Sequence, residues 1–177
     1  MIRLSNNLCI RKHLIDIPAK GVLQQPELAL NGGFEIAGGG GADVFAEWVE
    51  TVSDGAITAD TTYIHSGAKS AKLTTGAGKD TLMKLDVTVE PLKTYRISFW
   101  TAGDGTREGR YAVLDKTHGN ANLIALVSTG IKNAIMTPFS NTFSTPAGCV
   151  TITVVVRCST TVGRNVYFDD VSIKLVS

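Results

Sequence analysis

Val-Tyr-Phe-Asp-Asp-Val-Ser-Ile, residues 166–173, reads as a β-strand everywhere except at its centre, where Asp169 and Asp170 stand side by side. Aspartate is depleted in strands and is seldom buried without a partner. At least one of these carboxylates therefore needs compensation. Near the other end of the chain, Asn31-Gly32-Gly33-Phe34-Glu35 offers a further acid beside an aromatic ring. If the first and last strands are neighbours, Glu35 and Asp169 can share one cation. Strand alternation sends Asp170 to the opposite face, to cap a turn or meet solvent.

Working back from that stretch, short apolar runs recur between turn signals. Strands are predicted over 28–36, 45–52 with Trp48 at the centre, 69–74, 81–89, 93–101, 110–115, 123–128, 135–145, 150–157 and 166–176. The Gly38–Gly41 run reads as a flexible loop. Within 93–101, Tyr95, Ile97 and Phe99 face one way, and Thr94, Arg96, Ser98 and Trp100 the other. Residues 150–157 form a continuous apolar run, as a central strand requires. About ten strands at this spacing, with almost no helical periodicity, predict an all-β sandwich. Residues 1–27 differ. They combine Arg3, Arg11, Lys12 and Lys20 with scattered apolar residues and the breakers Pro18 and Pro26. They read as an extended N-terminal arm that packs on the domain or on a partner, leaving 28–177 as the domain proper.

Composition narrows the function classes. Charged residues are 19% of the 177, and the formal net charge is +1, so no global field argues for nucleic acid or membrane. No apolar run approaches the roughly 20 residues that span a bilayer. Charged residues interrupt any apolar signal core near the N-terminus. Cys9, Cys149 and Cys158 are an odd set. Cys149 and Cys158 flank a strand whose extended length is about 30 Å, too far to bridge, so three reduced thiols are expected.

Five segments then occur in a recognisable order: Asn31–Glu35, Trp48, His65-Ser66-Gly67-Ala68-Lys69-Ser70-Ala71, Lys93–Trp100 and Phe168–Ile173. With Phe143-Ser144-Thr145-Pro146, the set resembles the carbohydrate-binding modules of families 4, 9 and 22, which are galactose-binding-like jelly rolls. The resemblance covers about residues 28–176. It implies a jelly-roll sandwich of antiparallel strands and a structural calcium ion joining its first and last strands. Glu35 and Asp169 are the implied carboxylate ligands, with backbone oxygens near Gly33 and Lys69, a mixed shell that suits calcium. The alternative is that Glu35 and Asp169 pair with Lys or Arg or lie exposed at strand ends. Trp48 matches a structural aromatic and is expected in the core.

Sugar binding needs an aromatic platform and polar groups on one face. Trp100 is the candidate platform, Arg96 shares its face, and Tyr111 and Tyr63 are further candidates. Catalysis finds little support. Gly76–Thr81 lacks the order of a phosphate loop, His13, His65 and His118 are isolated in sequence, and no nucleophile elbow occurs. Two non-enzymatic expectations remain. One is a phage virion decoration or appendage protein, made in the host cytoplasm, docked on capsid or other virion proteins through the arm and able to bind surface glycans. The other is an extracellular glycan-binding module that accompanies a secreted glycoside hydrolase. Association into a homo-oligomer is left open.

Overall fold

Alternation is clearest in β6, Thr81–Thr88, where positions 81, 83, 85 and 87 are buried while 84, 86 and 88 are exposed. That period of two buries one face of the strand and wets the other. The computed structural model describes residues 25–159 and 162–176. Most of the arm, residues 1–24, and Cys9 within it lie outside the described residues. Among these residues the elements are β1 Ala37–Gly40, β2 Asp43–Phe45, β3 Val49–Val52, β4 Ala56–Asp60, β5 Ser70–Thr74 and β6. They continue with β7 Thr94–Ala102, β8 Arg110–Asp115, β9 Ala121–Ser128, β10 Thr137–Ser144, β11 Thr151–Cys158 and β12 Asn165–Leu175.

Two antiparallel five-stranded sheets, β10-β7-β12-β5-β4 and β3-β6-β11-β8-β9, enclose the core, and β1-β2 form a small hairpin. The predicted sandwich is therefore present, with twelve strands where about ten were expected. β11 runs between β6 and β8, which explains its unbroken apolar run. The core has two aromatic knots. Phe34 packs on Phe45 and Trp48 with centroids 5.1 and 5.2 Å away, and Phe99 packs on Tyr111, Phe139 and Phe168 at 5.2–5.6 Å. Trp48 is buried as expected, and its Nε1 donates to the Asn31 carbonyl. Each buried large side chain contributes roughly 1.5–3 kcal/mol, more than an exposed ring gains. Cys149 and Cys158 are buried free thiols.

Four local expectations change. Residues 29–33 form a turn instead of a strand, closed by a bond from Phe34 N to Asn31 O. The turn nevertheless lies against β12, because Val171 N donates to Gly32 O and Leu28 N to Ile173 O. A Cβ at Gly32 would stand 1.9 Å from the Val171 carbonyl, so only glycine permits this approach. Glu27, assigned to the arm, is tied to the same strand: its Oε1 accepts from Ile173 N and its Oε2 from Ser172 Oγ. The Gly38–Gly41 run is only partly a loop, since Ala37 and Gly40 pair with Phe45 and Asp43. The predicted 45–52 strand breaks after Phe45, at Glu47 with φ 73°, and restarts at Val49.

β12 carries the irregularity that matters for function. Asp169 pairs with Trp100 and Ser172 with Ser98, so one extra residue is inserted between them. The surplus is absorbed at Asp170, whose φ is +47°, a conformation that Asp tolerates better than most residues. Such a bulge resets side-chain direction. Asp170 therefore does not point to the face opposite Asp169, as plain alternation predicts.

Candidate functional site

The 65–69 loop collects the acids. Asp169 is 0% exposed. Its Oδ2 accepts from His65 N at 2.7 Å and Ser66 N at 3.2 Å, and its Oδ1 from Asp170 N at 2.8 Å. Burial raises the Asp169 pKa. The N–H groups of His65 and Ser66 oppose the rise, the charge of Asp170 adds to it, and the net direction is upward. Glu35 Oε1 accepts from Ala68 N at 2.8 Å and Lys69 N at 3.0 Å. Gly67, at φ +67°, lets the loop pass over that carboxylate, since a Cβ there would be 2.2 Å from Oε1. Asp170 Oδ2 shares a 2.5 Å bond with His65 Nδ1, and Oδ1 accepts from Ser66 Oγ at 2.9 Å.

Glu35 and Asp169 thus meet on one loop, as a shared cation requires. What the loop presents to them is N–H donors, which already offset their charge. Among the described residues, no three acidic, histidine or cysteine side chains gather around a point where a metal would sit. A cation here fits only a mixed shell of these two carboxylates and main-chain oxygens, such as those of Gly33 and Lys69.

The same loop builds the Trp100 surface. The His65 ring stacks on Trp100 with centroids 3.6 Å apart and planes 10° apart. Trp100 stays half-buried and lines a shallow depression of about 310 Å³ with Ser98, Phe99, Pro138, Phe139, Ser140 and Asp170. The depression combines an indole and a proline ring with two hydroxyls and a carboxylate. Arg96 is exposed on the same strand, in register with Lys174 and Thr142. Tyr63 is half-buried against Tyr167, 4.4 Å between centroids, and does not line the depression beside Trp100. Tyr111 is not on this surface. It is 0% exposed, and its hydroxyl accepts from Nδ2 of Asn141 on β10. Tyr111 alternates with Val113 on the inward side of β8, so it offers no face to a ligand.

The outward face of the second sheet was missed by the sequence reading. Lys84, Val155 and Ala112 lie in one cross-strand row, and Asp86, Thr153 and Leu114 in the next. Lys116 pairs with Asp86, whose Oδ1 also accepts from Thr153 Oγ1 at 2.6 Å. Burial pushes Asp86 up, but Lys116 and Thr153 outweigh it and hold the carboxylate below its ordinary value. Lys84, Asp86, Leu114, Lys116 and Thr153, with Val49 and Asn120, line a depression of about 370 Å³. The polar positions of the 81–88 alternation were the available signal.

Among the described residues, His65 and His118 are not isolated in space. His118 Nδ1 bonds Asp115 Oδ2 at 2.6 Å, and Asp115 is buried. The neighbouring Cys149 thiol is buried and pushed up to about 11, first by burial and then by Asp115. That is the wrong direction for a nucleophile.

A family model described as a carbohydrate binding domain matches residues 26–160. No curated protein matches the chain. Solved structures share its fold. A family 61 carbohydrate-binding module in complex with β-1,4-galactotriose is 17% identical, with a TM-score of 0.63 over 85% of this chain and 99% of that one. The enzymatically active domain of tailspike protein 4 from bacteriophage CBA120 is 14% identical, with a TM-score of 0.61 over 74% of this chain. The present chain spans only 20% of that protein. The Stig cyclase Fisc from Fischerella sp. TAU is 14% identical, with a TM-score of 0.62 over 86% of this chain and 98% of the cyclase. At such identities the likeness is one of fold, the jelly-roll sandwich.

Proposed function

The chain belongs to the carbohydrate binding domain family, and from that premise we propose that it is a non-catalytic glycan-binding protein whose ligand rests on the Trp100 surface. The observation that carries the site is Trp100 itself. It is half-buried and held flat by His65, and it opens onto a depression that also presents Ser98, Ser140 and Asp170. An indole pre-oriented by a stacked neighbour takes the apolar C–H face of a sugar ring, while hydroxyls and a carboxylate take its hydroxyl groups. Because a cyclase shares the fold, the non-catalytic reading rests on the sites and not on the fold. It is supported by the protonated, buried Cys149 beside the Asp115–His118 pair.

The test is a glycan array with wild type and Trp100→Ala. An aromatic contact is worth on the order of 1 kcal/mol beyond its area, so affinity should fall about tenfold. The melting temperature should change little, because the Glu35 and Asp169 bonds still hold the loop. Absence of binding by wild type to any glycan refutes the reading.

The finer reading is a decoration or appendage protein of a phage virion, docked through residues 1–27 on capsid or other virion proteins. Its support is the occurrence of this fold in a phage tailspike and the basic, apolar composition of that segment. Loss of virion attachment on truncating residues 1–24, with the sandwich still folded, is the expected result. Retained attachment would refute the docking role. Calcium bound by Glu35 and Asp169, with backbone oxygens of Gly33 and Lys69, is a separate proposal. It is supported by the convergence of both carboxylates on the 65–69 loop.

A further inference from the structure

Large apolar side chains stand in solvent at the end of the sandwich where β12 finishes. Leu92 is 75% exposed, Val150 49% and Val176 48%. They are neighbours. Val176 N donates to Thr94 O, two residues from Leu92, and Val89 N, three residues from Leu92, donates to Val150 O. Leu28 and Leu175, each only partly buried against the core, lie beside them. Leu92 does not owe its exposure to a slack loop. Four bonds tie the 90–93 turn to Thr145: Leu92 N to Thr145 O at 3.1 Å, Lys93 N to Thr145 Oγ1 at 3.0 Å, Thr145 Oγ1 to Glu90 O at 2.7 Å and Thr145 N to Lys93 O at 2.9 Å. The turn holds Leu92 at φ +57°, a conformation that leucine adopts only at a cost. Backbone strain held in place by its surroundings points to a role for the residue that bears it. Here that residue aims an apolar side chain outward.

The chain carries its own cover for this patch. Leu28 N donates to Ile173 O and Val171 N to Gly32 O, so residues 28–32 run antiparallel to β12. Followed backward from Leu28, the chain heads past Leu175 toward Val176, and Gln25 is the first described residue. Ladder alternation turns the Leu175 carbonyl to the same side as that of Ile173. Pro26 has no N–H to give it, so the ladder stops there. Residues 1–24 thus join the domain at the end that bears Leu92. The nearest stretch, residues 14–23, reads Leu-Ile-Asp-Ile-Pro-Ala-Lys-Gly-Val-Leu, with large apolar side chains at Leu14, Ile15, Ile17, Val22 and Leu23. Val22 and Leu23 stand within an extended reach of about 20 Å of Leu28. We propose that residues 14–23 of the same chain lie across Leu92, Val150 and Val176 and close this end of the sandwich. A segment tethered so close acts at a high effective concentration, which a separate partner or a second copy has to match. The cap leaves Arg3, Arg11 and Lys12 beyond it for a partner, and it rests on neither the glycan nor the virion proposal.

The experiment uses the full chain with Cys9→Ser and Ala19→Cys and puts a nitroxide on the thiol introduced at position 19. Cys149 and Cys158 are buried and stay unlabelled in the folded protein. Leucine and valine methyl signals are compared with the nitroxide oxidised and reduced. Expected is at least about a twofold loss of intensity at Leu92, Val150 and Val176, as side chains in contact require. Val52 is also exposed, but its pairing with Thr81 puts it at the opposite end, and its signal should not change. Adding Leu92→Ser should restore most of the intensity at Val150 and Val176. Val176→Ser, read at Leu92 and Val150, is the second variant should Leu92→Ser shift the melting curve. No selective loss at Leu92, Val150 and Val176, or a loss centred on Val52, would overturn the inference. So would an unchanged loss in the serine variants. In a mixture of nitroxide-bearing chains without isotope and isotope-labelled chains without nitroxide, all signals should stay intact. A loss at Leu92 in that mixture would overturn the inference in favour of arms exchanged between two copies.

Discussion

Replacing Asp169 by Ala removes the group on which the 65–69 loop hangs. Three backbone N–H groups, those of His65, Ser66 and Asp170, lose their acceptor. A bond to a charged acceptor contributes about 1.5–3 kcal/mol. Water can reach His65 and Ser66, which are exposed, so these donors are partly resolvated. Removing a fully buried carboxylate also relieves a desolvation cost, which its raised pKa reflects. A net loss of about 2–4 kcal/mol follows, or a fall in Tm of roughly 4–16 °C for a domain of this size. The pH dependence sharpens the test. Asp169 titrates higher in the folded protein than its ordinary 3.8. A raised acid stabilises fully below its unfolded pKa and loses that contribution as pH rises through the folded value. The penalty of Asp169→Ala should therefore be larger near pH 4 than near pH 7. Urea midpoints of both proteins at the two pH values measure it, and the Trp100 fluorescence reports whether His65 has left the ring. A shift below 2 °C, or a penalty that grows toward neutral pH, would refute this account of the clasp.

Three further perturbations address separate joints. Gly32→Ala drives a Cβ to 1.9 Å from the Val171 carbonyl. It should cost about 1–3 kcal/mol or more by overpacking, and calorimetry showing an unchanged Tm would contradict the described approach of turn to strand. Cys149 and Cys158, both pushed up to about 11 chiefly by burial, hold roughly a thousandth of their thiols as thiolate at pH 8. Maleimide mapping by mass spectrometry should therefore find them unlabelled until the chain is unfolded. Under the calcium proposal, a chelator should lower Tm by several degrees, because a ligand of the folded state stabilises it. An identical melting curve would leave the N–H clasp as the whole account of Glu35 and Asp169.

The strands were legible where alternation and turn chemistry agreed. Arg110–Asp115 has the predicted bounds, and 81–89 and 93–101 are displaced by a residue at most. The β4 strand Ala56–Asp60 was not recognised, because two of its five residues are Ala and Asp60 ends it as a turn acceptor for Thr62 and Tyr63. The direction of Asp170 was also beyond the pattern. A bulge exists only relative to a partner strand, and the pairing of β12 with β7 is a long-range fact. Tyr111 was misplaced for a different reason: alternation gives two faces but does not say which is the inner one. Charge compensation led the sequence reading to a cation shared by Glu35 and Asp169. The N–H groups that both acids accept from, on a loop over a hundred residues away from Asp169, carried no signal in the sequence.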